Sequence, residues 1–169
     1  MSFIGIITNP KNEEYMKKIL HKKFNISQII FITDNNIENM KNIRFETIVV
    51  DSLIKDIKNL KFIISNAKCI VLNSDLVINL DLLDNLNLVV ISYGFNNKAT
   101  FTVSSVSDSN IIICLQRIIN NIYGEKYEPQ EFEIEIEKNV DIYAIIYAKI
   151  IRMIYQKIPA FETNFYKKR

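Results

Sequence analysis

Phe3-Ile4-Gly5-Ile6-Ile7-Thr8-Asn9-Pro10-Lys11-Asn12 is the stretch on which the reading of this chain turns. Phe3 to Thr8 is a short apolar run of strand-forming residues with no helical period, and it stops at Asn9-Pro10. Asn9 suits the N-cap of a helix, and Pro10 suits its first position, where a backbone N–H is not needed. The helix then runs to about Lys23. Tyr15, Met16, Ile19 and Leu20 share one face, with Phe24 just beyond. Glu13 and Glu14 come early, and Lys17, Lys18, Lys22 and Lys23 come late. This order complements the helix dipole and sets up Glu-to-Lys pairs one turn apart.

The alternation of strand and helix continues outward from this unit. Gln28–Thr33 predicts a second strand, Asn36–Asn42 a short helical turn and Phe45–Val50 a third strand. Leu53–Asn66 predicts a helix with Leu53, Ile57, Leu60 and Ile64 on one stripe. Cys69–Asn73 predicts a fourth strand, 76–85 a loop or short helix and Leu88–Ser92 a fifth strand. Strands that alternate with helices form a mostly parallel sheet covered on both faces. Past Tyr93-Gly94-Phe95 the pattern changes. Thr100–Val106, Asn110–Arg117 and Glu131–Glu137 read as strands without helices between them, with turns at Ser107-Asp108-Ser109 and Gly124-Glu125. Asn139–Lys157 is a long apolar helix that stops before Pro159. The expected fold is α/β: a Rossmann-like or P-loop-like sheet, an antiparallel meander, and a long last helix. One domain is expected over 1–169, made of a parallel part (1–98), a meander (99–138), an apolar helix (139–158) and a basic, frayed tail (159–169).

Composition narrows the function classes. The 169 residues are 49% hydrophobic and 24% charged, as in soluble globular chains, and they provide for a sizeable core. A net charge of +2 excludes strong electrostatic capture of nucleic acid or of an anionic membrane. Cys69 and Cys114 lie inside apolar runs, have no Cys-x-x-Cys spacing, and share the chain with one histidine, His21. They read as reduced core thiols, and no metal site is expected. The start Met1-Ser2-Phe3-Ile4-Gly5 has no signal-peptide pattern, so a cytoplasmic location is expected. Lys149 and Arg152 interrupt the last helix and argue against a membrane span.

Candidate ligand residues gather at the ends of the predicted strands, since open parallel sheets bind ligands at that edge. They are Asn9, Lys11 and Asn12 after the first strand, Asp51 after the third, Asn73 and Asp75 after the fourth, and Gly94 and Asn96 after the fifth. The first turn is poor in phosphate-binding features. It has no glycine, Pro10 lacks an N–H, Glu13 and Glu14 follow closely, and Lys11 is its one cation. Glu131, Glu133, Glu135 and Glu137 alternate along one strand and read as a solvated, edge-protecting face. No catalytic residue is assigned, because no nucleophile has a base beside it in the pattern.

Three pieces, in order, resemble the central ATP-binding domain of the Mur ligases. Phe3 to Asn12 resembles that family's first strand and Gly-Thr-Asn-Gly-Lys-Thr loop. Ile91-Ser92-Tyr93-Gly94-Phe95 resembles its Tyr-Gly-Phe segment. Asn139-Val140-Asp141-Ile142-Tyr143-Ala144 resembles the start of its His-Asn-x-x-Asn-x-x-Ala helix. The resemblance implies a shared fold, with Lys11 at the place of the phosphate-binding lysine and Asn12 at that of the metal-binding Ser or Thr. It sets Asp51 at the place of the magnesium-linked Glu, and Asn73 at that of an Asn after the next strand. The loop glycines are missing, and Lys138 replaces the histidine. A domain without the family's amino-acid-binding C-terminal domain and without ligase activity is therefore expected, with no cofactor, ATP and magnesium being disfavoured. Two functions follow. One is partner binding or oligomerisation through the 140–158 helix. The other is binding or sensing of a nucleotide or UDP-linked cell-wall precursor.

Overall fold

The computed structural model describes residues 3–23, 28–77 and 82–158, and the side chains of 21–23 are left aside. The opening unit forms as its residues dictate. Strand β1 (Phe3–Ile7) leads directly into helix α1 (Pro10–Lys23). The Asn9 side chain accepts a hydrogen bond from the backbone N–H of Asn12 at 2.9 Å, so Asn9 is the expected N-cap. There follow β2 (Ile29–Phe31), a 3-10 turn (Ile37–Asn42), β3 (Phe45–Val50), helix α2 (Ile57–Ser65), β4 (Cys69–Asn73) and β5 (Val89–Tyr93). The later part contains β6 (Phe101–Val106), β7 (Asn110–Leu115), a small hairpin of β8 (Ile119–Asn120) and β9 (Lys126–Tyr127), β10 (Gln130–Glu135) and helix α3 (Ile142–Tyr155).

Eight strands join one sheet in the order β10-β7-β6-β5-β4-β3-β1-β2. β1 to β5 pair in parallel, as expected of a strand-helix alternation. β7 runs antiparallel to β6 and β10 runs antiparallel to β7, which is the expected meander. The two halves meet at a single residue pair, Tyr93 with Phe101. β6 therefore starts level with the carboxyl end of β5 and runs beyond it. Val89 and Val90, at the start of β5, lack a neighbour on that side and stay exposed.

Strand alternation divides the core in two. Ile4, Ile6, Val49, Val71, Ile91, Tyr93, Phe101, Ile111, Ile113 and Leu115 face Met16 and Leu20 of α1 and the length of α3. Ile7, Ile48, Val50, Ile70 and Leu72 face Leu60, Ile63 and Ile64 of α2 and Ile37 of the 3-10 turn. The first layer takes side chains from both halves of the sheet. The second covers only the parallel half, so Ile112 and Cys114 on the far face of β7 belong to neither cluster.

Two expectations need correcting. α2 begins at Ile57 rather than Leu53, because Asp56 caps it by accepting from the Asn59 N–H. Leu53 lies outside the helix and is exposed, so the buried stripe is Leu60, Ile63 and Ile64. The last helix is shorter than 139–157 because Asp141 caps it, accepting from the Tyr143 N–H. None of its fourteen residues is exposed. Its apolar side packs against the sheet and α1. Phe24, residues 78–81 of the predicted loop and the 159–169 tail lie outside the described residues. Among the described residues no helix is long and apolar enough to cross a membrane.

Candidate functional site

The order β2-β1-β3 reverses direction between β1 and β3, and such a reversal opens a crevice at the carboxyl ends of the two strands. Thr8 follows β1 at this point and Asp51 follows β3. Asp51 is 7% exposed, and its carboxylate carries four hydrogen bonds. Oδ1 accepts from the Tyr93 hydroxyl at 2.7 Å and from Asn73 Nδ2 at 3.3 Å. Oδ2 accepts from the Thr8 hydroxyl at 2.9 Å and from Asn12 Nδ2 at 3.4 Å. Asn12 also donates to Oδ2 of Asp141 at 3.0 Å, which ties α1 to the capped start of α3. The Tyr147 hydroxyl donates to Thr8 Oγ1 at 3.2 Å and closes the network from above.

Burial pushes the Asp51 carboxyl above its ordinary range. Its bonds from Tyr93, Thr8 and Asn73 pull it back down, and the nearby Asp141 adds to the rise. The surrounding phenols are held protonated. Burial raises Tyr93, and the charge of Asp51 and the bond donated to it raise it further. Burial likewise raises Tyr147, against a downward pull from Thr8. The crevice is thus filled by hydroxyls and amides aimed at one carboxylate, with no cation among its partners in the described residues. Among the described residues, no buried side-chain nitrogen or oxygen lacks a partner.

A second group sits at the ends of β4 and β5. The Asp75 carboxylate accepts from the backbone N–H of Phe95 at 2.6 Å and of Asn96 at 3.2 Å, and from the Tyr143 hydroxyl at 3.0 Å. The Asp75 N–H donates to Asn73 Oδ1 at 3.0 Å, which links the two groups. Phe95 and Tyr143 meet edge-on with ring centroids 5.5 Å apart. Gly94 has φ +150, and a Cβ there would lie 2.5 Å from Asp75 Oδ2, so only glycine lets the loop close over the carboxylate. Gly94→Ala should destabilise the domain by about 1–3 kcal/mol, read as a fall in the denaturant midpoint at unchanged m-value.

The structure brings most of the sequence candidates together. Asn12, Asp51, Asn73, Asp75, Gly94 and Asn96 form one edge, with Asn9 behind them as the helix cap. Lys11 is exposed and takes no part in the network. Asn9 already uses the Asn12 N–H and Pro10 has none, so this helix start offers few free amides to an anion. Thr8, Tyr93, Asp141, Tyr143 and Tyr147 were not among the candidates. For α3 a signal exists: Asp141 is a capping residue, and Tyr143 and Tyr147 are one turn apart. Tyr93 could not be found that way, because its hydroxyl reaches from β5 across β4 to Asp51 at the end of β3. Among the described residues, no three His, Cys, Asp or Glu side chains come together as a metal site. No family model matches the chain, and no curated protein matches it at a significant level.

Proposed function

We propose that this is a non-catalytic α/β domain, Mur-ligase-like in the order of its segments, that works by associating with another protein or another copy of itself. The observation that carries the reading is Asp51. A buried carboxylate stands at the switch point of the sheet, where a nucleotide would bring its phosphates, and its described partners are the chain's own neutral donors. Like charges at close range repel, and Asp51 and Asp141 both accept from the Asn12 amide at this crevice. Because α3 is covered, association would use other surface. Phe62 on α2, Val89 and Val90 on β5, and Ile118, Ile122 and Tyr123 around the small hairpin are exposed apolar side chains available for it.

A second reading, binding of a nucleotide or a UDP-linked precursor, is favoured by the strand order, which sets a crevice at Thr8 and Asp51. A thermal-shift series separates the two. ATP with magnesium, UDP-sugars and nucleoside monophosphates should leave the melting temperature unchanged, while light scattering or pull-down shows an assembly. A ligand at 100 times its Kd stabilises the native state by about 2.7 kcal/mol, so binding would be plainly visible. A shift that disappears in Lys11→Ala, in a protein that stays monomeric, would establish the second reading and remove the first.

A further inference from the structure

The Asp75 group differs from the Asp51 network in one respect: its carboxylate is exposed. Two consecutive backbone N–H groups, of Phe95 and Asn96, point to the two oxygens of this carboxylate, one to each. The Tyr143 hydroxyl adds a third donor to Oδ2. Consecutive amides converging on one point form an anion-binding concavity. Here Gly94, at φ +150 and without a side chain, leaves the space an anion needs beside the two amides. The bond from the Asp75 N–H to Asn73 Oδ1, and that from the Lys98 N–H to Asn96 Oδ1 at 2.9 Å, brace the two sides of the loop.

We propose that the Gly94–Asn96 loop and Tyr143 form an oxyanion seat that Asp75 occupies from within, and that an outside carboxylate takes the seat when Asp75 swings out. The three donors match the planar pair of oxygens of a carboxylate. The exposed Asp75 can leave for water, which the buried Asp51 cannot do. A tethered competitor lowers the apparent affinity of an outside ligand by the fraction of time the seat is empty. Ligand entry would therefore be coupled to release of the β4 end and to Tyr143 at the start of α3. The seat is independent of the triphosphate question, because it lies at the ends of β4 and β5 and does not use Lys11.

The test is a titration followed at the Phe95 and Asn96 amide signals by NMR, with inorganic phosphate in one arm and sodium acetate in the other, at ionic strength held constant with chloride. The wild type, Asp75→Asn and Asp75→Ser are compared. Removing the internal anion should lower the midpoint at least about tenfold in Asp75→Ser, with Asp75→Asn between it and the wild type, because a neutral amide competes less well than a charged carboxylate. Adding Tyr143→Phe to Asp75→Ser should weaken binding again, by roughly three- to tenfold, for one hydrogen bond to an anion. Acetate should show the lower midpoint, and tighter binding of phosphate than of acetate would overturn the assignment of a carboxylate. Equal midpoints in all three proteins, or shifts not confined to the 94–96 loop, would overturn the proposal. If Asp75→Ser does not fold, Asp75→Asn alone decides, since it too must bind more tightly than the wild type.

Discussion

Replacing Asp51 by leucine should lower the unfolding free energy by about 2–4 kcal/mol, seen as a fall of roughly 5–15 °C in melting temperature. The size follows from which donors are left without a partner. Thr8 still accepts from Tyr147, and its own freed O–H, half-buried, can turn to water, while Asn12 keeps its bond to Asp141. The Tyr93 hydroxyl and the Asn73 amide lose the acceptor they share, and both residues are buried. Each buried donor left unpaired costs about 1–3 kcal/mol, and removal of a buried charge offsets part of the sum. A loss below about 1 kcal/mol would mean that water or a local shift satisfies both donors, and the closed network would not be the structural hub described above. The milder change Asp51→Asn tests the sign of the electrostatics. The native carboxyl is raised above its ordinary value near 3.8, so between the two values the native state holds a proton that the unfolded chain has released. The contribution of this group is complete below that pH and is lost as pH rises through the raised native value. Measured as wild type minus Asp51→Asn, stability should fall across that window and level off above it.

Tyr147→Ala should cost more, about 3–5 kcal/mol, as other buried aromatic truncations do. The side chain is fully buried in the layer under α3. Its ring meets that of Tyr93 edge-on at 6.1 Å, and its hydroxyl closes the site over Thr8. Tyr147→Phe keeps the ring and gives up only that bond, so a loss of about 1 kcal/mol is expected. The gap between the two variants in urea unfolding divides packing from hydrogen bonding. If Tyr147→Phe were as damaging as Tyr147→Ala, the hydroxyl and not the ring would hold α3 in place.

Much of this architecture could be read before any coordinates, and the reason is local chemistry. β3 and β4 match their predicted bounds because each is a short β-branched run between polar turns. The strand that follows Tyr93-Gly94-Phe95 and its antiparallel partner were recognisable from the missing helix between them. Helix ends were less legible. Asp56 and Asp141 set the starts of α2 and α3 by capping, yet apolar stripes that reach past the caps suggested longer helices. The destination of the 140–158 surface was the hardest point. Periodicity shows that a helix is apolar nearly all round, and says nothing of whether α1 and the sheet, or another chain, will cover it. The site was legible as an edge, since strand ends gather there in any parallel sheet. Its closure was not, because the bond from Tyr93 to Asp51 spans forty-two positions in sequence.

The single pair between Tyr93 and Phe101 has a consequence for how the chain acquires its structure. β6 cannot grow along β5 as each earlier parallel strand grows along its neighbour, so the late strands find no template in the ladder. What fastens the two strand groups is α3, whose residues share one apolar layer with both. The splint is the last element in chain order, so ordering of the whole waits on contacts between distant parts of the sequence, the circumstance under which domains fold slowly.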